Sequence, residues 1–183
     1  MGLLNSFDRH ELGDATATDV DELADLAAAT FPLACPPSAP PEDVAAFIGA
    51  NLSAQRFVDY LADPSRIVLA ARDGGRLVGY AILIEGVGED PNVAAAVTMR
   101  PAVELSKIYV LADSHGSGVA AALLSTAVDR ASATGARCLW LGVNQRNERA
   151  QRFYTKNGFS IAGTKTFQLG AHTEHDFVMV RPL

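Results

Sequence analysis

Glu104-Leu-Ser-Lys-Ile-Tyr-Val110, followed within a few residues by His115-Gly-Ser-Gly-Val-Ala120, is the stretch that decides the fold. The first part reads as a short apolar strand, within Val103 to Leu111. The second is a glycine-bearing turn into an alanine- and leucine-rich helix, Ser117 to Ala133, which Gly135 terminates. Strand, tight turn and helix in that order aim backbone N–H groups and the positive end of a helix dipole at one place, an arrangement suited to phosphate. A Gly-x-Gly before a helix is also a common plain connection, so the turn by itself leaves the ligand open.

Outward from this stretch, Arg137 to Val143 is a buried strand, Asn147 to Lys156 a helix, and Gly158 its stop. Strand–helix–strand–helix over 103–159 requires neighbouring parallel strands with helices on the faces. Arg66 to Arg72 and Arg76 to Glu85 flank Asp73-Gly74-Gly75, the signal of an antiparallel hairpin. Ser160 to Leu169 and His175 to Val180 close the chain as two strands. Upstream, Asp19-x-x-Glu22 resembles a capping box for a helix that ends near Thr30-Phe31-Pro32. The five prolines of 32–41 predict an irregular connection, and helices follow over Val44 to Leu52 and Ala54 to Leu61. Gly86 to Pro101 is polar and glycine-bearing, with part of it expected as strand. The expectation is one α/β domain over 1–183, a mixed and mostly antiparallel sheet with a central parallel pair and helices on both faces. A ligand belongs at the C-terminal ends of the parallel strands.

At 183 residues, with 49% apolar and 20% charged residues, the chain has the balance of a single globular domain. A net charge of -6 provides no basic stripe for nucleic acid and is compatible with a cationic substrate. No segment approaches membrane-spanning length. Cys35, in the proline-rich loop, and Cys138, in an apolar run, do not form a disulfide framework, so a reducing, cytoplasmic setting is expected. Met1-Gly-x-x-x-Ser6 matches a loose myristoylation pattern, which an ordinary terminus also produces. His172-x-x-His175 lacks further ligands, and no metal is expected.

The second informative segment is Asn144-Gln-Arg-Asn147-Glu-Arg-Ala150-Gln-Arg-Phe153-Tyr154-Thr-Lys-Asn-Gly158-Phe159. Asn147 is placed to cap the helix, and Ala150, Phe153 and Tyr154 share one face. Packing alone explains that spacing, but not its occurrence together with the glycine turn.

Together the two segments resemble the GNAT superfamily of acetyltransferases, over roughly 66–181 and most densely over 104–159, which implies a single GNAT-like domain whose central parallel strands are splayed. Leu105-Ser-Lys-Ile-Tyr-Val110, Trp140-Leu-Gly-Val143, Asn147-Glu-Arg-Ala150 and Thr166-Phe-Gln-Leu-Gly170 are similar to its bacterial polyamine (spermidine/spermine) branch. The resemblance implies acetyl-CoA as cosubstrate, with Ile108 and Val110 offering backbone groups to the pantetheine arm and Tyr109 between them. The amides of the His115–Ala120 turn (Gly116, Ser117, Gly118, Val119 and Ala120) would take the pyrophosphate. Asn147 and Ala150 would contact the coenzyme. Tyr154 matches the tyrosine that protonates the departing thiolate, and Glu104 a strand position that serves some members as base. Tyr109 alternates to the other face and also reads as core, and Glu104 also reads as an edge residue paired with Lys107 or an arginine. His115 departs from the family's Arg or Gln, trading a permanent charge for an imidazole.

The chemistry suits those residue types. An alkyl ammonium must lose its proton before attacking a thioester, and a carboxylate can remove it. A thiolate takes a proton readily from a phenol, and direct transfer needs no enzyme nucleophile. The acceptor expected is a small-molecule primary amine, a polyamine first. Its pocket would be lined by about 19–62, 86–101 and the last strands, around a coenzyme core of about 103–159. Other small amines, amino acids, aminoglycoside-like antibiotics and a protein or peptide N-terminus are the alternative acceptors, and a catalytically silent acyl-CoA-binding module is the alternative of another class. A homodimer is compatible with the family.

Overall fold

A computed structural model describes residues 10–183; the myristoylation-like pattern lies outside them. Seven strands form one sheet in the order β1-β2-β3-β4-β5-β7-β6. They are β1 (Glu11–Asp14), β2 (Arg66–Asp73), β3 (Arg76–Glu85), β4 (Ala102–Val110), β5 (Cys138–Asn144), β6 (Ser160–Leu169) and β7 (His172–Pro182). Only β4 and β5 run parallel among the described strands, as the intervening helix α5 (Val119–Ala133) requires. The Asp73-Gly-Gly turn joins β2 to β3, with Gly74 and Gly75 both at positive φ, 58° and 84°.

The parallel pairing is short. Ala102, Val103 and Glu104 align with Cys138, Leu139 and Trp140, and the register then ends. Beyond it β5 stays with β7 up to Asn144–Asp176, while β4 stays with β3 up to Val110–Gly79. A bulge in β4 lies within the divergent part: Leu105 faces Leu83 and Lys107 faces Ile82, so Ser106 is the extra residue. Bulges bend a strand and raise its twist, and this one lets β4 turn away from β5.

Apolar residues of α5, chiefly Leu123, Leu124 and Ala127, pack on one face of the sheet against Leu69, Leu83, Leu139 and Leu141. The other face is covered by α1 (Val20–Ala34), α2 (Pro41–Asn51) and α3 (Ala54–Ala62), which bury Leu23, Phe31 and Phe57 against Tyr80 and Ile82. Gly79 lies in close contact with α5: a Cβ there would meet Leu123 Cδ1 at 2.9 Å and the Tyr109 carbonyl at 3.1 Å. None of the described helices is long and apolar enough to cross a membrane.

Several boundaries differ from the sequence reading. α1 continues through Pro32 to Ala34, leaving only Cys35–Pro40 as the connection, because Pro32 and Ala28 lie on the exposed side. The carbonyl that Pro32 cannot serve therefore meets water. The α1 capping contacts fall one turn early, where the Thr16 N–H donates to Asp19 Oδ2 at 2.7 Å. Glu22 instead accepts from the Leu77 N–H at 2.8 Å. The α5 start is Val119 rather than Ser117, and β7 begins at His172. Gly86 to Pro101 contains no strand but a helix, α4 (Pro91–Ala96), with Asp90 accepting from the Asn92 N–H at 2.8 Å and proline in its first turn. β1, too short to show periodicity, was not anticipated. Cys138 and Trp140 are buried as expected.

Gly79→Ala should lower unfolding free energy by about 1–3 kcal/mol in urea denaturation, because Leu123 and the β4 backbone must shift to admit a methyl group. An unchanged midpoint would mean that the α5–sheet distance is not held at this contact.

Candidate active site

Between the diverging ends of β4 and β5 lies a cleft of about 680 Å³. One wall is β4 from Glu104 to Val110; the start of α5, β5 from Gly142, α6 (Glu148–Lys156) and side chains of β6 and β7 complete it. The end of α1 and Cys35-Pro36 also line it.

The Ser106 bulge sorts the side chains of β4. Leu105 and Ile108 pair with Leu83 and Ala81 and join the core on the α5 side. Glu104, Lys107 and Tyr109 pair with Ile84, Ile82 and Tyr80, whose side chains face α1 to α3. Without the extra residue, Glu104 and Lys107 would point to opposite faces. Both line the cleft.

The backbone is sorted as well. The Leu111 N–H donates to the Val78 carbonyl at 2.9 Å, and bonding alternates along an antiparallel ladder. Tyr109 therefore spends its peptide groups on β3, whereas those of Ile108 and Val110 face the space that β5 has left. The Val110 carbonyl accepts from His115 Nε2 at 3.0 Å. The Ile108 groups and the Val110 N–H remain directed at the cleft. The Tyr109 ring meets Phe31 edge-on with centroids 6.4 Å apart, and burial followed by the neighbouring Tyr154, Cys35 and Asp176 raises its pKa.

After β4 a 3-10 turn, Ala112–Ser114, leads into Gly116 and Gly118 at φ 79° and 90°. A Cβ on either would meet nothing within 4 Å, so the backbone conformation, not crowding, calls for glycine. Gly116, Gly118, Val119, Ala120 and also Ala121 line the cleft, where the first turn of α5 leaves N–H groups without helical partners. Ser117 is not among the lining residues; its N–H and hydroxyl both donate to the Ser114 carbonyl.

On α6, Asn147 Oδ1 accepts from the Ala150 N–H at 3.1 Å, capping the helix and leaving its amide nitrogen to the cleft. Ala150, Phe153 and Tyr154 share the inward face, with Arg149 at the rim. Tyr154 packs against Phe153 and Phe159, at 5.5 and 5.7 Å between centroids. Burial pushes its phenol pKa up, so it stays protonated at neutral pH.

The sequence reading missed the groups that β6 and β7 bring in. Lys165 and Asp176 are cross-strand partners, with Nζ 3.9 Å from Oδ2. They occupy room left by Gly142, where a Cβ would come within 2.5 Å of Lys165 Cε. Glu174 accepts from Asn144 Nδ2 at 3.2 Å. Cys35 reaches the cleft, and burial, then the Glu174 charge, pushes its thiol up to about 11. A thiol so protonated is a poor nucleophile. The expected substrate-side segment 86–101 contributes no lining residue. It precedes β4 and packs at the closed end of the parallel pair, where Trp140 Nε1 donates to the Gly86 carbonyl at 2.9 Å. Among the described residues no group of three or more His, Cys, Asp or Glu side chains gathers; His172 Nδ1 lies 3.4 Å from Asp43 Oδ2.

Among the described residues Glu104 has no charged partner within 4.0 Å and accepts no hydrogen bond. Burial raises its pKa, with Lys107, Lys165 and Arg66 opposing that shift in turn. Lys107 shifts the other way: burial lowers its pKa, against the Glu104 charge.

Comparison with known proteins gives a consistent picture. The model of the acetyltransferase (GNAT) family matches residues 20–159. An uncharacterised N-acetyltransferase of Mycobacterium tuberculosis (strain ATCC 25618 / H37Rv) is 56% identical over 166 residues, covering 91% of this chain and 99% of the relative. Among solved structures, the PaiA N-acetyltransferase of Thermoplasma acidophilum in complex with coenzyme A superimposes with a TM-score of 0.74 at 19% identity, over 95% of this chain and 99% of that one. The ribosomal-protein-S18-alanine N-acetyltransferase of Escherichia coli does so at 0.67 and 18% identity, over 94% and 93%. At those identities the two structures speak for the fold.

Because folding raises the Glu104 pKa, its ionised form costs stability, and that cost grows as pH rises through the shifted value. Glu104→Gln should therefore melt above the wild type at pH 8. The gap should close as pH falls towards the ordinary carboxylate range of about 4.3, where both side chains are neutral. A lower melting temperature for the variant at pH 8 would show that Glu104 has a stabilising partner.

Proposed function

The chain belongs to the acetyltransferase (GNAT) family, and from that premise we propose that it transfers acetyl from acetyl-CoA directly to the primary amine of a small molecule. The observation that carries the reading is the meeting, in one cleft, of an unpartnered carboxylate, a protonated phenol and a strand edge with free peptide groups. The cosubstrate supplies an acetyl group activated as a thioester.

The residues fit such a molecule. Ile108 and the Val110 N–H offer an extended arm the pairing that β5 no longer provides. Gly116, Gly118, Val119 and Ala120, with Ala121, present amides and a helix dipole to a pyrophosphate. Asn147 keeps its amide nitrogen for a carbonyl acceptor. His115 closes the turn on Val110, a structural use for the imidazole that needs no permanent charge.

Glu104 takes the proton from the acceptor ammonium. Its raised pKa makes it a better base than an exposed carboxylate, and activity falls as pH drops through that value. Tyr154, kept neutral by burial, holds the proton that the departing thiolate requires. Cys35, protonated at neutral pH, supports direct transfer over an acetyl-enzyme.

Glu104, Glu174 and Asp176 favour a cationic acceptor. Sequence similarity and the net charge of -6 direct that preference towards polyamines. Lys107 and Lys165 project into the same space and weigh against a chain of several ammonium groups, so the proposal is a single primary amine.

The test is amine-dependent release of CoA thiol across a panel of small amines and short peptides. Release with at least one small amine is expected, and coenzyme binding without release would support a silent binding module. In the same assay Tyr154→Phe should lower kcat by about 10²–10⁴-fold while leaving the Kd for acetyl-CoA within a small factor. An unchanged kcat would remove Tyr154 from the chemistry.

A further inference from the structure

The bulge at Ser106 brings two opposite charges to one face of β4 without pairing them. Glu104 and Lys107 both line the cleft, and no salt bridge of 4.0 Å or less joins either to any described residue. Among the described residues Lys107 Nζ donates only to its neighbour Ser106, at 3.2 Å to the carbonyl and 3.5 Å to Oγ, and lies 6.0 Å from the Phe47 ring centre. The other charges nearby are occupied. Lys165 and Asp176 face each other, Glu174 accepts from Asn144, and Arg66 Nε donates to Asp63 at 3.1 Å. Charges withdrawn from water are normally paired; two left single, opposite in sign and on one face, complement a ligand that carries both signs.

We propose that Lys107 binds an anionic group of the acceptor, so that the substrate is a free amino acid, its ammonium at Glu104 and its carboxylate at Lys107. The walls beside this pair, Phe31, Leu33, Tyr109 and Phe167, are apolar and suit a hydrophobic side chain. A polyamine would set an ammonium against Lys107, and a protein N-terminus would present a neutral amide where the carboxylate belongs. Lys107 thus acts in acceptor binding and not in the chemical step. This inference rests on the acetyltransferase reading above and narrows its substrate class.

The experiment measures CoA release at saturating acetyl-CoA from free amino acids, their α-carboxamides, the matching amines without the carboxylate, and spermidine. The wild type should prefer an apolar amino acid over its carboxamide and its decarboxylated amine by more than about tenfold in kcat/KM, the worth of one charge-assisted contact. Lys107→Met should erase that preference through KM while binding acetyl-CoA as before, and Lys107→Arg should keep most of it. Spermidine or the decarboxylated amines serving as well as the acids would overturn the inference and leave the acetyltransferase reading standing. So would an equal loss for acid and carboxamide in Lys107→Met. Release with no amine at all would take down both.

Discussion

Everything in this molecule that bears on chemistry depends on where β4 and β5 stop pairing. Three residues of parallel ladder hold the strands together, and from Ser106 onward each follows its antiparallel neighbour instead. A sheet interior ordinarily leaves no peptide group free, because a buried unpaired N–H or carbonyl costs about as much as a lost hydrogen bond. Here the break creates a short internal edge, open at the C-terminal ends of the parallel strands and beside the first turn of α5. An edge of that kind accepts an extended chain much as a further strand would.

The same irregularity organises the side chains. One extra residue in β4 turns Glu104 and Lys107 towards the face covered by α1 to α3 and keeps Leu105 and Ile108 in the core. The cleft thereby acquires charges at low solvent exposure while the α5 interface stays apolar. On three of the ionisable groups burial acts in a direction that suits the proposed chemistry: Glu104 becomes more basic, Tyr154 holds its proton, and Cys35 stays a thiol.

Much of this was legible in the residues. The Asp73-Gly-Gly hairpin, the strand–turn–helix from Glu104, and the Asn147-capped helix with Ala150, Phe153 and Tyr154 on one face follow from local spacing, and the structure has them. What stayed hidden depends on partners distant in sequence. The Ser106 bulge exists only in the register of β4 against β3. Lys165 and Asp176 reach the cleft because β6 and β7, beyond β5, pair in a register that sets the two opposite each other and because Gly142 has no side chain, and none of this shows in one segment. Ser117 was grouped with its glycine neighbours, but its hydroxyl and N–H turn back on Ser114. Segment 86–101 was assigned to the substrate side by elimination, although a chain entering β4 must lie at the closed end of the parallel pair. The Asp90-Pro91 cap that makes α4 was there to be read; the glycines around it masked the signal.

The most direct test of the open edge is residue-resolved amide hydrogen exchange with and without acetyl-CoA. The account predicts slower exchange at Ile108 and Val110 and through Gly116–Ala121 when the coenzyme is present, with little change at Tyr109, whose N–H is already bonded to β3. Unaltered exchange at Ile108 and Val110 in the presence of bound coenzyme would contradict it.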